Sequence, residues 1–279
     1  MNNNSNINTY LIFTDLDGTF LSNDDFSFGD NIKLTKKLIS LGHFVIVNSS
    51  KTFAEIHDLL SSNDLILPII CETGGGIYLP ADDSSSIHPG SYDNYIKLFE
   101  APKISEIQEK LSIILNEFEN DFDFFDDLEE KEQEKLTNLR GHGLILASKR
   151  IFTKLIVWRA SEERFMKLTE RLKNNDLDLI RGARFCHLCS NFSKGKSMNY
   201  LVSYFRKLYS QKTISTIALG DSSNDIDMLI EADFSYIINS VGNKTILNED
   251  ILSKSMKSIS PAPNGWQECI MKIINLGDQ

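Results

Sequence analysis

The stretch Tyr10-Leu11-Ile12-Phe13-Thr14-Asp15-Leu16-Asp17-Gly18-Thr19 joins an unbroken apolar run to two carboxylates and a glycine. Four consecutive apolar residues without alternation favour a strand that is buried on both faces, as in a parallel sheet. In open α/β sheets, ligands bind beyond the carboxyl ends of such strands. Asp15 and Asp17 can face one site there, and Gly18 permits the turn, although aspartate and glycine are also common in ordinary turns.

Four further apolar runs have the same character, at residues 44–47, 65–70, 216–219 and 236–238. Helical patterns lie between them: Leu34, Leu38 and Leu41, for example, recur at i, i+4 and i+7. Strands that alternate with helices at both ends of the chain predict an α/β fold with a doubly wound, mostly parallel sheet as its core.

The middle of the chain follows a different pattern. After a polar stretch at 81–86, which is typical of a linker, come a helix pattern at 104–115, an acidic segment at 117–135, a strand pattern at 152–158, a helix pattern at 161–174 and two strands that flank 182–183. This order predicts an inserted α+β cap domain over residues 87–189, with the core formed by 1–86 and 190–279. The acidic segment is interpreted as a solvated face.

Composition excludes several classes of protein. The chain has 279 residues, is 41% hydrophobic and carries a net charge of −10, so it can bury a core and is a poor binder of nucleic acid or anionic membranes. No apolar run approaches the ~20 residues of a membrane span, and no signal peptide is visible. Four cysteines are too few for a disulfide framework at this size, so we expect a cytoplasmic protein. Any anionic substrate then needs a local positive site or a metal.

Polar clusters follow two other predicted strands and precede one helix. Asn48-Ser49-Ser50-Lys51 follows the second strand, Gly220-Asp221-Ser222-Ser223-Asn224-Asp225 follows the strand at 216–219, and Ser193-Lys194-Gly195-Lys196 precedes the longest helix. Carboxylates, a hydroxyl and an ammonium group therefore converge on one edge of the sheet.

Hydrolysis of a phosphate monoester requires such a set. The substrate is a dianion that repels a carboxylate nucleophile, and Mg²⁺ held by a few carboxylates offsets that repulsion. An aspartate can then form an aspartyl-phosphate, while a second carboxyl with a raised pKa protonates the leaving group. Lysine and hydroxyl groups stabilise the charge on the phosphoryl group.

In this order, the four motifs resemble the haloacid dehalogenase superfamily of phosphohydrolases. The resemblance implies that Asp15 is the nucleophile, Asp17 the general acid and base, Ser49 the phosphate-binding hydroxyl and Lys194 the charge-neutralising lysine. The Mg²⁺ ligands that it implies are Asp15, Asp17 through its backbone carbonyl, Asp221 and Asp225. The place of the insert also matches the larger α+β caps of this superfamily.

Four segments look like the mannosyl-3-phosphoglycerate phosphatases: 48–52, 72–80, 182–188 and 263–266. This resemblance implies a hexosyl-3-phosphoglycerate as substrate, the hexosylglycerate as product and a place in compatible-solute synthesis. Thr73 stands where that family carries asparagine, and the segment after Arg150 lacks its acidic residue and serine. The sugar is therefore open between mannosyl and glucosyl.

A phosphoglycerate carries a carboxylate, which favours a bidentate arginine. The substrate-binding residues that we expect are Ser50, Lys51, Arg150, Arg184, His187 and Asn224. Three alternatives remain at this point: another sugar-phosphate phosphatase, a phosphosugar mutase, or a non-catalytic sugar-phosphate sensor. Cys186 and Cys189 offer only two thiols, which would point to opposite faces of a strand, so no zinc or redox site is expected.

Overall fold

A computed structural model describes residues 9–81, 94–182, 184–240 and 253–277 of the chain. Its strands are β1 (Thr9–Thr14), β2 (Phe44–Asn48), β3 (Ile69–Cys71), β4 (Gly76–Pro80), β5 (Tyr95–Glu100), β6 (Phe122–Phe124), β7 (Thr153–Trp158), β8 (Leu177–Arg181), β9 (Cys186–Ser190), β10 (Ile214–Gly220), β11 (Phe234–Asn239) and β12 (Met256–Pro261). Its α-helices are α1 (Asn31–Ser40), α2 (Phe53–Ser61), α3 (Ile104–Leu115), α4 (Glu130–Thr137), α5 (His142–Ala147), α6 (Glu162–Lys173), α7 (Lys194–Leu208), α8 (Ile226–Glu231) and α9 (Asn264–Gly277).

The core is an eight-stranded sheet in the order β12-β11-β10-β1-β2-β3-β4-β5. All neighbours from β12 to β3 are parallel, and the β3–β4 and β4–β5 pairs are antiparallel, so β4 runs opposite to the other seven strands. Alternate residues of β1 pack on opposite faces: Ile12 belongs to one apolar cluster, with side chains of α1, α2 and α9, while Leu11 and Phe13 belong to another, with side chains of α7 and α8. The predicted doubly wound, mostly parallel α/β sheet is confirmed.

The cap contains a four-stranded antiparallel sheet in the order β6-β7-β9-β8. Helices α3 and α6 cover one face, where Leu168 and Leu188 are fully buried. Residues with the opposite orientation, Leu155 and His187, line a cavity between the cap and the core. Because side chains alternate along a strand, β7 and β9 present one face to α3 and α6 and the other to the carboxyl end of the core sheet.

The start of the cap differs from the prediction. The expected boundary between 86 and 87 lies outside the described residues, but β5, which it assigns to the cap, pairs with β4 at the edge of the core sheet. Tyr95 is buried in the core cluster, and its hydroxyl donates to the carbonyl of Leu67 at 3.0 Å. The cap therefore begins after Ala101. The sequence hides this hairpin because its connection, residues 81–94, is much longer than an ordinary hairpin loop.

The acidic segment 117–135 contains β6 and most of α4. Glu117 forms ion pairs with Lys167 and Arg171 of α6, at 2.9 and 3.1 Å. Phe118 is fully buried under the same helix face. Part of the segment is therefore paired with the cap rather than only solvated.

Two further expectations concern the cysteines and membrane spans. Cys186 packs in the cap cluster and Cys189 in the core cluster, so the two thiols do point to opposite faces, and all four cysteines are free. Among the described residues, no helix has both the length and the apolar character that crossing a membrane requires.

Candidate active site

The buried carboxylate of Asp15 lies one residue beyond the end of β1, where it meets a buried lysine. Lys194 Nζ contacts Asp15 Oδ1 at 2.8 Å and Asp225 Oδ1 at 2.6 Å, and the Lys194 side chain is fully buried. Lys194 opens α7 and follows the N-cap Ser193, whose hydroxyl accepts the Lys196 N–H. A cation at a helix N-terminus opposes the helix dipole, so the two carboxylates are what hold it there.

Asp225 organises the loop that follows β10. Its Oδ2 accepts the backbone N–H groups of Asp221 and Ser222 at 3.1 and 3.0 Å, and also the Ser222 hydroxyl at 3.1 Å. Since its Oδ1 contacts Lys194, both oxygens of Asp225 are engaged within the protein.

Asp221 completes a set of three carboxylates. One ligand oxygen each from Asp15, Asp221 and Asp225 can be chosen so that all three lie within 4.8 Å of one another. Thr19 donates its hydroxyl to Asp221 Oδ1 at 3.3 Å. Gly18 has φ +73°, and a Cβ there would stand 2.5 Å from Asp221 Oδ2. Glycine is therefore required here both by the backbone conformation and by the approach of Asp221.

The electrostatics of this set are unbalanced. Burial raises the pKa of Asp15 to about 7, opposed by Lys194 and reinforced by Asp225. Burial and the carboxylates of Asp225 and Asp15 raise the pKa of Asp221 well above its usual value. Burial alone would lower the pKa of Lys194, but Asp15 and Asp225 outweigh it and raise that pKa. Three carboxylates and one lysine carry a net negative charge, which a further cation would offset.

The loop after β2 places its polar residues beside β1. Ser49 is buried, and its hydroxyl accepts the Lys51 N–H at 3.3 Å. Lys51 Nζ contacts Asp17 Oδ2 at 3.0 Å and Glu55 at 3.8 Å. Burial would lower the pKa of Lys51, but the two carboxylates raise it. Asp17 is thus partnered by a cation.

A cavity of about 370 Å³ lies between this edge of the core sheet and the cap. Its walls contain nine of the twelve expected site residues: Asp15, Asp17, Ser50, Lys51, Arg150, Arg184, His187, Asp221 and Asn224. The other three, Ser49, Lys194 and Asp225, do not line it. Every residue predicted for the site is therefore either at this cavity or in the core elements directly beneath it.

The cap residues of the wall are held by backbone groups. Arg184 donates to the carbonyl of Thr137, the last residue of α4, at 2.6 Å. Arg150 donates to the carbonyl of Ser50 at 3.1 Å and to the Thr153 hydroxyl at 2.9 Å. Burial, with Arg150 and Lys194 nearby, lowers the pKa of His187 well below its usual value, so this imidazole is neutral.

Several wall residues were not predicted from the sequence. They are Asn23, Phe26, Glu55, Phe125, Thr137, Asn138, Leu139, Ala147, Leu155, Gly182, Phe185 and Ser222. The rings of Phe125 and Phe185 meet edge to face at 5.1 Å. Gly182 and Phe185 lie in segment 182–188 and Ser222 follows Asp221, so these three had a signal in the sequence. The others come from segments that carry no motif.

Comparisons with known proteins identify the family and the fold. The model of the haloacid dehalogenase-like hydrolase family matches residues 12–257. A relative from Persephonella marina, named glucosyl-3-phosphoglycerate/mannosyl-3-phosphoglycerate phosphatase, is 29% identical over 95% of this chain and 97% of its own. Among solved structures, the phosphatase BT1666 from Bacteroides thetaiotaomicron has a TM-score of 0.68 at 17% identity, covering 99% of this chain and 98% of its own. The sugar phosphatase BT4131 has a TM-score of 0.65 at 16% identity, covering 96% and 99%. At this identity the two structures establish the fold.

Proposed function

The chain belongs to the haloacid dehalogenase-like hydrolases, and from that membership we propose that it is a Mg²⁺-dependent phosphatase that converts a hexosyl-3-phosphoglycerate to the hexosylglycerate and phosphate. One observation carries the proposal. The buried Asp15–Lys194–Asp225 set underlies a cavity whose opposite wall presents Arg150, Arg184 and His187 from the cap.

The carboxylates fit a hard divalent cation. Asp15, Asp221 and Asp225 offer only oxygen ligands, and burial together with the neighbouring carboxylates raises the pKa of Asp15 and Asp221. Asp15 and Asp221, with the backbone carbonyl of Asp17, would hold Mg²⁺, which prefers a few carboxylates completed by water and phosphate oxygens. Asp225 would support the site through the Asp221 backbone and Lys194. When bound, the cation supplies charge neutralisation and polarises a phosphoryl oxygen.

Asp15 is the nucleophile in this proposal. A carboxylate oxygen of Asp15 forms a bond to phosphorus as the bond from phosphorus to the glyceryl oxygen breaks. Lys194 fixes the Asp15 carboxylate at 2.8 Å and offsets its charge. The hydroxyl of Ser49 and the ammonium group of Lys51 stabilise the phosphoryl oxygens.

Asp17 moves the proton. Its Oδ1 is buried and has no hydrogen-bond partner among the described residues, so this oxygen is free to carry the proton. Asp17 donates the proton to the departing glyceryl oxygen. It then takes a proton from the water that attacks phosphorus, which releases phosphate and restores the Asp15 carboxylate.

The cap selects the substrate. The glycerate carboxylate requires cations, and Arg184 and Arg150 supply them in a wall that also contains the neutral His187. The name of the Persephonella marina relative includes both the glucosyl and the mannosyl substrate, and this proposal likewise includes both. The cytoplasmic location, the role in compatible-solute synthesis and the absence of nucleic-acid and membrane partners remain predictions from the sequence.

The test is phosphate release with Mg²⁺ from mannosyl-3-phosphoglycerate, glucosyl-3-phosphoglycerate, sucrose-6-phosphate, trehalose-6-phosphate and 3-phosphoglycerate. We expect kcat/KM to favour a hexosyl-3-phosphoglycerate by at least about a hundredfold, or ~2.7 kcal/mol. Activity that is flat across the panel would reject the substrate. Release that depends on an added acceptor sugar would favour a mutase.

Metal dependence has its own test. Excess EDTA should abolish phosphate release, and Mg²⁺ added back beyond the chelator should restore it, whereas Ca²⁺, with its longer and more flexible coordination, should restore less. Full activity after exhaustive chelation would reject the metal site.

A further inference from the structure

The buried carboxylate of Glu72, just after β3, binds a segment of the cap. Its Oε1 accepts the Ile151 N–H at 2.9 Å. Its Oε2 accepts the N–H groups of Phe152 and Thr153 at 3.0 and 2.9 Å, and the Thr153 hydroxyl at 2.8 Å. Glu72 is 1% exposed and does not line the cavity. Four donors from the cap side therefore converge on one core carboxylate that does not touch substrate.

The same core loop meets the two points where the chain crosses between core and cap. Gly75 accepts the Ala101 N–H at 2.8 Å, where the chain enters the cap. Gly74 accepts the Ser197 hydroxyl at 2.7 Å, just after the chain has returned. Phe152 is fully buried, and a Cβ on Gly75 would collide with its side chain. Loop 72–75 is thus one of the places where cap and core are joined.

This loop also supports the residues that face the phosphate. The Thr73 N–H donates to the carbonyl of Ser49 at 2.9 Å, and the Glu72 N–H donates to the carbonyl of Lys51 at 2.8 Å. The carbonyl between them, that of Ser50, accepts from Arg150 at 3.1 Å.

Thr153 closes the connection. It receives the other hydrogen bond of Arg150, at 2.9 Å, and donates its own hydroxyl to Glu72. A continuous path of hydrogen bonds therefore runs from Glu72 through Thr153 and Arg150 to Ser50.

We propose that Glu72 is a positioning residue that fixes the cap over the cavity and, through Thr153 and Arg150, couples cap position to loop 49–51. This inference rests on the proposed phosphatase activity. Substrates that need the cap depend on the coupling, because their remote groups must be held while the phosphate reacts. A small aryl phosphate, which has no such groups, depends on it little.

The central variant is Glu72→Gln, which keeps the size of the side chain but places an amide N–H₂ against a backbone N–H. We expect KM for the preferred hexosyl-3-phosphoglycerate to rise about tenfold or more, with KM for p-nitrophenyl phosphate within about twofold of wild type. Backbone amides of 151–153 should exchange faster with deuterium.

Glu268→Gln is the matched control. Glu268 makes a similar clamp far from the cap, since it accepts the N–H groups of Ile259 and Ser260 and the Ser260 hydroxyl at 2.7 Å. Its replacement should leave both KM values and the exchange of 151–153 unchanged. If Glu72→Gln changes KM equally for both substrates, or behaves like Glu268→Gln, the proposal is wrong.

Thr153 supplies a second variant in case Glu72→Gln fails to fold. Thr153→Val removes the hydroxyl link and should raise the KM for the hexosyl substrate about threefold. Thr153→Ser keeps a hydroxyl, so its KM should equal that of wild type. Equal behaviour of valine and serine at this position would contradict the coupling.

Failure of the proposed substrate is distinguishable from failure of this inference. If wild type shows no preference for hexosyl-3-phosphoglycerates, the substrate is wrong. The KM comparison is then made on the panel compound with the highest kcat/KM, against p-nitrophenyl phosphate. A rise in KM confined to that compound supports the positioning role, and no such rise overturns it.

Discussion

The two walls of the cavity hold their charges in opposite ways. On the core wall, Lys194 is enclosed between Asp15 and Asp225 at 2.8 and 2.6 Å. On the cap wall, Arg150 and Arg184 donate to backbone carbonyls, and neither forms an ion pair within the described residues. The charged groups of the core wall therefore pair with one another. The two arginines of the cap wall remain available to bind an anion that enters the cavity.

This difference separates chemistry from recognition. A lysine with two carboxylate partners is fixed in place, and losing the lysine leaves two buried carboxylates uncompensated. An arginine held by a neutral carbonyl keeps its full charge and most of its donors, so it can bind an anion at little cost. Variants on the core wall should therefore abolish turnover or stability, and variants on the cap wall should change substrate preference.

The largest effect is expected for Asp15→Asn. It removes the nucleophile of the proposed mechanism, so kcat should fall by about 10⁴-fold or more for every phosphate substrate. The fold should survive, because burial already raises the pKa of Asp15 and the neutral amide relieves a buried charge. Steady-state phosphate release and thermal unfolding of the metal-free protein at pH 8 check both parts. Undiminished turnover would exclude the aspartyl-phosphate route.

Lys194→Met comes next and tests stability on the core wall. It leaves Asp15 and Asp225 buried without a cation, which should lower the free energy of unfolding by about 3–5 kcal/mol. Urea unfolding monitored by tryptophan fluorescence measures the loss. A variant as stable as wild type would show that the carboxylates do not depend on this lysine.

Arg184→Ala tests the cap wall. Loss of a charge-assisted contact should cost about 1.5–3 kcal/mol in kcat/KM for a hexosyl-3-phosphoglycerate, seen as a rise in KM, with little change for p-nitrophenyl phosphate. Arg171→Ala, which removes an exposed arginine of α6 paired with Glu117, is the control and should change neither. Equal losses on both substrates would remove Arg184 from recognition.

His187→Gln tests whether the cap wall keeps its imidazole neutral. Burial lowers the pKa of His187 in the folded chain, so below pH 6.5 the unfolded chain binds a proton that the folded chain does not. Wild-type stability should therefore decrease as the pH falls from 7.5 to 5.5, by about 1 kcal/mol more than that of the variant. Parallel pH profiles of the free energy of unfolding would show that folding does not lower the pKa of His187.

The smallest effect is expected at the junction of the two walls. Thr73 has φ 61°, a left-handed conformation that costs a β-branched residue more than asparagine. Thr73→Asn should therefore raise the free energy of unfolding by about 0.5–1 kcal/mol. Since Thr73 does not line the cavity, substrate preference should stay unchanged, and a changed preference would instead link this position to the sugar.

The sequence was sufficient for the parts of the site that sit at strand ends. A buried apolar run followed at once by Asp15 and Asp17, and another followed by Asp221 and Asp225, place carboxylates at one edge of a parallel sheet wherever the strands pair. The parallel order then follows from the alternation of strand and helix. The parallel part of the core sheet and the carboxylates at its strand ends were therefore predictable from local pattern alone.

The tertiary structure decided what depends on pairs distant along the chain. The edge pairing of β5, the bond from Arg150 to Ser50 and the four donors on Glu72 join residues that no local pattern connects. Such contacts depend on how the cap closes on the core, and the packing of side chains from both domains sets that geometry. The sequence by itself thus determined which carboxylates gather at one edge of the core sheet, and only the folded chain decided which residues bind the cap above them.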